Sequence, residues 1–213
     1  MVQKFLFLLL LFVIGAQSAN AQGMPDEDIR KAAPDSFLVK FETSKGSFDA
    51  MVHRAWGPLA ADRFYHLVRL EYFDEVSIFR VVPNYVAQFG IHNEEKVNRA
   101  WRKLGIKDEP VVKSNLKGTI SFARGGPKTR TNQVFINLSD NVNLDTYPAA
   151  GIVGYPPIAE IVSGMEVIDT FNGQYGNGPT MRQDSINVHG REFLDRHFPG
   201  LDFIKTVRIV ETF

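Results

Sequence analysis

The chain has 213 residues, 44% of them apolar, with charges balanced at 24 basic and 24 acidic side chains and no cysteine. That is apolar material for the core of one domain, and two large domains would be a squeeze. Balanced charge removes the field that draws proteins to nucleic acid or anionic membranes, and the lack of cysteine excludes thiol catalysis and disulfides, so a small or peptidic partner is expected.

The opening "MVQKFLFLLLLFVIGAQSANAQG" has one cation, Lys4, then an apolar run from Phe5 to Gly15, then small and polar residues ending in Ala19-Asn20-Ala21. This is the n-region, h-region and A-x-A order of a secretory signal peptide. Cleavage is expected after Ala21, with the remainder exported to a periplasm or secreted. A membrane anchor is the alternative reading, but the run falls short of the roughly 20 residues a spanning helix needs, so no membrane insertion is expected after cleavage. Residues 22–35 are polar and acidic without a periodic apolar face and read as a flexible tether; one domain is expected over 36–213.

Phe37, Val39 and Phe41 alternate with Leu38, Lys40 and Glu42, and after Ser44-Lys45-Gly46 the alternation resumes at Phe48, Ala50 and Val52. This predicts a β-hairpin with glycine where the turn most needs positive φ. In "GPLAADRFYHLVRLEYF", Ala61, Phe64, Leu67 and Val68 fall at helical spacing, with Asp62, Arg63, His66 and Arg69 on the other face and Pro58 in the first turn. The next stretch, "SIFRVVPNYVAQFG", is made like a largely buried strand pair yet carries Arg80 and Gln88. A buried guanidinium is costly unless something binds it.

Strand-length runs follow at Thr119 to Ala123, Gln133 to Leu138, Ile158 to Val162 and Ile204 to Val210, with a helical turn predicted at "GMEVIDTF" around Met165, Ile168 and Phe171. Many strands with one or two helices suggest a closed or nearly closed antiparallel barrel, because closure removes exposed edges. The five histidines share no metal-ligand spacing, and no metal or cofactor is expected. "GQYGNGP" lacks the strand-to-helix context of a nucleotide loop and reads as a turn. Asn137-Leu138-Ser139 is a glycosylation sequon on a predicted strand, where modification is not expected. On residues alone, Arg80 reads as an edge-strand arginine paired to Asp74 or Glu75, and Phe135 as core.

Two segments change that balance. "FRVVPNYVAQFG" and "GTISFARGGPKTRTNQVFINL" resemble, in order, the two signature segments of the cyclophilin-type peptidyl-prolyl cis-trans isomerases. "GPLAADRFYHLV" and "IAEIVSGMEVID" are more weakly similar to other parts of that family. The resemblance implies a closed eight-stranded antiparallel β-barrel capped by two helices, with the active groove on its outer face. It implies Arg80 as the catalytic arginine and Gln88 and Gln133 as substrate-binding glutamines. It further implies a proline pocket from Tyr85, Val86, Phe135 and Leu144, and an edge at Ala123 and Arg124 whose backbone pairs with an extended peptide.

Two positions depart from the family pattern. Asn143 stands where many members have tryptophan before the pocket leucine, and Tyr155 stands where they have a groove histidine. The first is expected to weaken binding of the drug cyclosporin more than isomerisation; the second can still close the pocket and donate through its hydroxyl. Residues 91–112 and 172–201 have no counterpart, with a groove-side loop carrying Trp101 expected in the first and a short helix at "GREFLDRHFPG" in the second. The expected partners are proline-containing peptides and unfolded exported proteins, and the expected state is a monomer. A binding module that holds proline segments without turnover is the alternative; a barrel enclosing a small ligand is disfavoured, since the matched residues would lie outside it.

Overall fold

The computed structural model describes residues 22–149 and 151–213, so the expected signal peptide lies outside the described residues. The strands are β1 (Ser36–Thr43), β2 (Ser47–His53), β3 (Arg80–Val82), β4 (Val86–Phe89), β5 (Thr119–Phe122), β6 (Val134–Asn137), β7 (Pro148–Ala149), β8 (Ile152–Val153), β9 (Pro157–Ser163) and β10 (Ile204–Thr212). The helices are α1 (Pro58–Arg69), α2 (Glu95–Arg102), α3 (Met165–Ile168) and α4 (Gln183–His197). Eight strands form one antiparallel sheet in the order β10-β1-β2-β9-β5-β6-β4-β3, and β7 and β8 pair separately.

The expected hairpin is β1 and β2, with Phe37 opposite Val52, Val39 opposite Ala50 and Phe41 opposite Phe48, all turned to the core. Gly46 makes its turn at φ 139°, beside Val167. The same period of two sorts the strands around Arg80. Val81, Ala87, Phe89, Ile120, Phe122, Val134 and Ile136 face the main core under α1, whereas Val86 and Phe135 face outward into a second apolar cluster with Leu144.

The sheet is an open half-barrel, not the closed barrel expected. Its end strands, β10 and β3, share no ladder; they are joined by an isolated bridge, Ser77 to Phe203, and by bonds from Ile78 N to the Asp202 carbonyl (2.8 Å) and Ile204 N to the Val76 carbonyl (2.9 Å). Strand β3 is only three residues long, and Val81 at its outer edge bridges Gly176 of a later segment, which covers the edge a closing strand would need. Among the described residues, four α-helices replace the two expected.

The extra helices α2 and α4 lie in the two stretches without counterpart and pack on each other, with Asn98 Nδ2 donating to the Asn187 carbonyl at 3.1 Å. Helix α4 is longer than the short helix expected and breaks at Gly190, where φ is 53° and a Cβ would meet the Asn93 backbone at 2.6 Å. Only glycine fits there. Trp101 is not on a groove-side loop. It is fully buried on α2, its Nε1 donating to the Gly23 carbonyl at 2.6 Å.

That bond also corrects the reading of residues 22–35 as a free tether. Gly23 N donates to the Leu70 carbonyl (2.9 Å), Arg69 Nη2 pairs with Asp26 (2.7 Å), Ala33 N donates to Asp62 Oδ1 (2.8 Å), and Glu27–Arg30 is a 3-10 turn. On α1, Arg63 and His66 are buried rather than on the solvent face. Arg63 donates to the Leu104 (2.6 Å) and Thr131 (2.9 Å) carbonyls and stacks over Trp101; His66 Nε2 meets the Lys31 carbonyl at 2.8 Å. Burial lowers the Arg63 pKa to about 10.

Candidate active site

Strand register builds the site. Arg80 on β3 stands opposite Gln88 on β4, Gln88 opposite Phe135 on β6, and Phe135 opposite Ser121 on β5, so the four point to one face of the sheet. Neither carboxylate considered for Arg80 reaches it: Asp74 pairs with Arg208 at 2.7 Å and Glu75 with Arg191 at 3.1 Å. Arg80 Nη1 instead donates to Gln88 Oε1 at 3.0 Å, its Nε donates to Asn177 Oδ1 at 2.7 Å, and the guanidinium lies 5.6 Å from the Tyr85 ring centre. Burial lowers the pKa of Arg80 and raises that of Tyr85.

Beside the guanidinium is a cavity of about 200 Å³ lined by Arg80, Tyr85, Val86, Gln88, Ala123, Arg124, Phe135, Leu144, Tyr155, Thr180 and Gln183. Val86, Phe135 and Leu144 form its buried apolar floor, and Tyr155 stands edge-on to Phe135 with ring centres 5.8 Å apart. Leu144 sits on the 3-10 turn Val142–Asp145, and its carbonyl accepts from Tyr155 N at 3.0 Å, which ties two walls together. Asp145 anchors the turn, accepting from Ser114 Oγ and from Asn115 N and Nδ2, both at 2.8 Å. Burial works against the Asp145 carboxylate, but these hydrogen bonds prevail and lower its pKa.

A second cavity, of about 180 Å³, adjoins the first and shares Gln88, Ala123, Arg124 and Gln183 with it, adding Gly125, Thr129, Thr131 and Gln133. All ten residues expected at the site are thus brought together. Two differ in detail. The Ala123 N–H is committed to the Gln133 carbonyl at 2.9 Å, so a peptide along this edge has to use other groups. Arg124 contributes its side chain as well, 1% exposed, with its guanidinium 4.8 Å from the Tyr155 ring centre.

Sequence reasoning missed Asn115, Asn177, Thr180 and Gln183. Asn115 is a buried hub under the pocket, donating to Asp145 and the Tyr155 carbonyl and accepting from Ser121 Oγ and Asn137 Nδ2. Asn137, the sequon residue, is fully buried in the same network. Asn177 lies within the glycine-rich run read as a mere turn, Thr180 directly follows it, and Gln183 opens α4. The Asn-Gly-Pro sequence signals a turn but nothing about what the turn touches. Among the described residues, no three His, Cys, Asp or Glu side chains are grouped to hold a metal, and no helix is long and apolar enough to cross a membrane.

An apolar cup, a guanidinium at its rim and amide side chains beside it define a groove suited to an extended peptide with a small apolar ring. The family model for cyclophilin type peptidyl-prolyl cis-trans isomerase/CLD matches residues 38–190. Peptidyl-prolyl cis-trans isomerase A of Dickeya dadantii is 29% identical over 70% of this chain and 82% of its own. Peptidyl-prolyl cis-trans isomerase-like 1 of Emericella nidulans is 32% identical over 70% of this chain and 90% of its own. A cyclophilin-type isomerase crystal structure from Cryptosporidium parvum superposes with a TM-score of 0.58 at 17% identity, covering 83% of this chain and 99% of that one; a second was determined in the presence of the dipeptide Ala-Pro. This chain belongs to the cyclophilin-type peptidyl-prolyl cis-trans isomerase family, a family of isomerases.

Proposed function

We propose that the protein assists the folding of exported proteins by accelerating rotation about their X-Pro bonds, with Arg80 as an electrostatic catalyst. The observation that carries this reading is the register of Arg80, Gln88 and Phe135, which sets a guanidinium at the edge of an apolar cup. Rotation about an X-Pro bond is slow because it breaks amide resonance, with a barrier near 20 kcal/mol. In the twisted transition state the prolyl nitrogen becomes pyramidal and regains a lone pair. An N–H of Arg80 donates to that lone pair, an interaction the planar ground state does not offer, so it lowers the barrier. Nothing covalent is required. The pyrrolidine ring fits against Val86, Phe135 and Leu144, while Gln88 and the edge at Ala123 and Arg124 hold the flanking peptide.

The signal-like pattern of residues 1–21 supports the exported setting. The test is exchange NMR on an Ala-Pro peptide with residues 22–213, wild type against Arg80→Ala. Acceleration by the wild type that is largely lost in a variant still binding peptide supports the reading. Binding without acceleration, or an Arg80→Ala variant as fast as wild type, would overturn it.

A further inference from the structure

The groove's polar side chains form a directed chain of hydrogen bonds. Arg80 Nη1 donates to Gln88 Oε1 (3.0 Å), Gln88 Nε2 to Gln133 Oε1 (2.9 Å), and Gln133 Nε2 to Gln183 Oε1 (3.1 Å). At the other end Arg80 Nε donates to Asn177 Oδ1 at 2.7 Å. Both terminal acceptors, Asn177 and Gln183, belong to the stretch 172–201. The chain of bonds therefore starts and ends on that stretch and passes through Arg80 and both glutamines expected to act on the peptide. Each amide can receive at its oxygen only if its nitrogen points onward, so fixing the ends fixes the orientation of both glutamines between them.

The stretch is itself tied down by a bridge and hydrogen bonds. Its Gly176 bridges Val81, next to Arg80; Asn172 N donates to Asp202 Oδ2 (2.7 Å); Tyr175 donates to the Pro199 carbonyl (2.9 Å); and Thr180 Oγ1 donates to the Asn177 carbonyl (2.6 Å). Ile186 and Leu194 of α4 pack with Phe79 and Ile91 in a separate buried cluster, so the residue preceding Arg80 is gripped by the arm whose Asn177 holds the Arg80 head. Of the five guanidinium N–H bonds, one on Nε and one on Nη1 are committed, which restricts how the remaining three can turn.

We infer that residues 172–201 are a working arm of the active site, in which Asn177 positions Arg80 for catalysis and Gln183 sets the orientation of the peptide-binding glutamines. This rests on the isomerase reading of Arg80. Asn177 is a positioning residue, acting on the reacting bond only through the guanidinium. Losing its oxygen frees Arg80 to swing, and small misplacements of a catalytic group are expensive.

The test uses residues 22–213 with Asn177→Ala, Asn177→Asp, Gln183→Ala and Gln183→Glu, the second of each pair restoring an acceptor oxygen, and Arg80→Ala as reference. Exchange NMR on an Ala-Pro peptide gives kcat and KM; the ¹H–¹⁵N signal of Arg80 Nε reports the bond directly. Asn177→Ala is expected to lower kcat about tenfold with KM within about twofold, to speed exchange of the Arg80 Nε proton with water, and to be largely rescued in Asn177→Asp. Gln183→Ala is expected to raise KM more than it lowers kcat, with rescue in Gln183→Glu. If Arg80→Ala loses rate while Asn177→Ala keeps wild-type kcat and an unchanged Nε signal, the arm inference is overturned and the isomerase mechanism stands. If Arg80→Ala is as fast as wild type, the mechanism itself fails and the arm has nothing to position.

Discussion

Arg80 and Gln88 stand directly opposite each other on β3 and β4, and the arginine Nη1 donates to the glutamine Oε1 at 3.0 Å. The guanidinium is thereby presented by a sheet rather than a loop, with its orientation set by a cross-strand partner. A lysine at the same position keeps the charge but not the planar fork. Arg80→Ala is expected to lower kcat about 100-fold, the cost of deleting a transition-state donor, and Arg80→Lys to fall between it and wild type. Both retain Ala-Pro binding, checked by titration of peptide chemical shifts.

The 200 Å³ cavity has no histidine or carboxylate among its described lining residues. Burial lowers Arg80 from the high arginine value and raises Tyr85. The rate is expected to be flat from about pH 6 to about pH 9. A bell-shaped profile in that window, measured by exchange NMR, would show that proton transfer has been overlooked.

Stability should depend on pH where rate does not. His92 is buried, which lowers its pKa from 6.5 despite the opposing pull of Glu94, and its Nδ1 accepts from Glu94 N at 3.0 Å, as a neutral ring does. Above the unfolded value both states are neutral and nothing is lost. As pH falls below it, the unfolded chain takes the proton first and stability declines toward the folded pKa. The urea midpoint of wild type is expected to drop from about pH 7.5 to about pH 5.5 by more than that of His92→Gln.

Trp101 ties the segment after the expected cleavage site to the core through Gly23. Trp101→Phe keeps most of the apolar contact and removes the bond, so a loss of about 1 kcal/mol is expected, with faster proteolysis within residues 22–35. Thermal melts and limited digestion check this; unchanged digestion would mean that the remaining ties, among them Gly23 to Leu70, Asp26 to Arg69 and Ala33 to Asp62, hold the segment without the indole bond.

Asn143 lies exposed on the 3-10 turn beside pocket residue Leu144. Cyclosporin is expected to bind weakly, and Asn143→Trp, which restores an indole N–H donor, to tighten binding about tenfold with little change in isomerisation. Calorimetric titration of both proteins decides it.

Much of this was legible because period-two alternation survives even where a strand is functional. Phe37, Val39, Phe41, Phe48, Ala50 and Val52 marked β1 and β2, and Arg80, Gln88 and Phe135 stood out as signature residues. What stayed hidden depends on contacts remote in sequence. Arg63 and His66 looked solvent-facing because a helical pattern shows polarity, not the Leu104, Thr131 and Lys31 carbonyls that satisfy these side chains inside. Asn177 is separated by 97 positions from the arginine it holds, and no local propensity records such a partner. Strand number suggested a closed or nearly closed barrel and the family resemblance a closed one; the shortness of β3 and the bridge from Val81 to Gly176 decided otherwise.

Strand β1 lies between β2 and β10, so the first of the described strands is flanked by the last. Ser36 and Phe213 even exchange backbone bonds, Phe213 N to the Ser36 carbonyl at 2.9 Å. A chain leaving a ribosome or a translocation pore N-terminus first must therefore carry β1 with one edge unpaired until β10 emerges. Completion of the sheet is obliged to be a late event, slow to nucleate because this pairing joins strands far apart in sequence. A protein proposed to shorten the waiting time of other chains has a sheet that cannot be completed until its own β10 is in place.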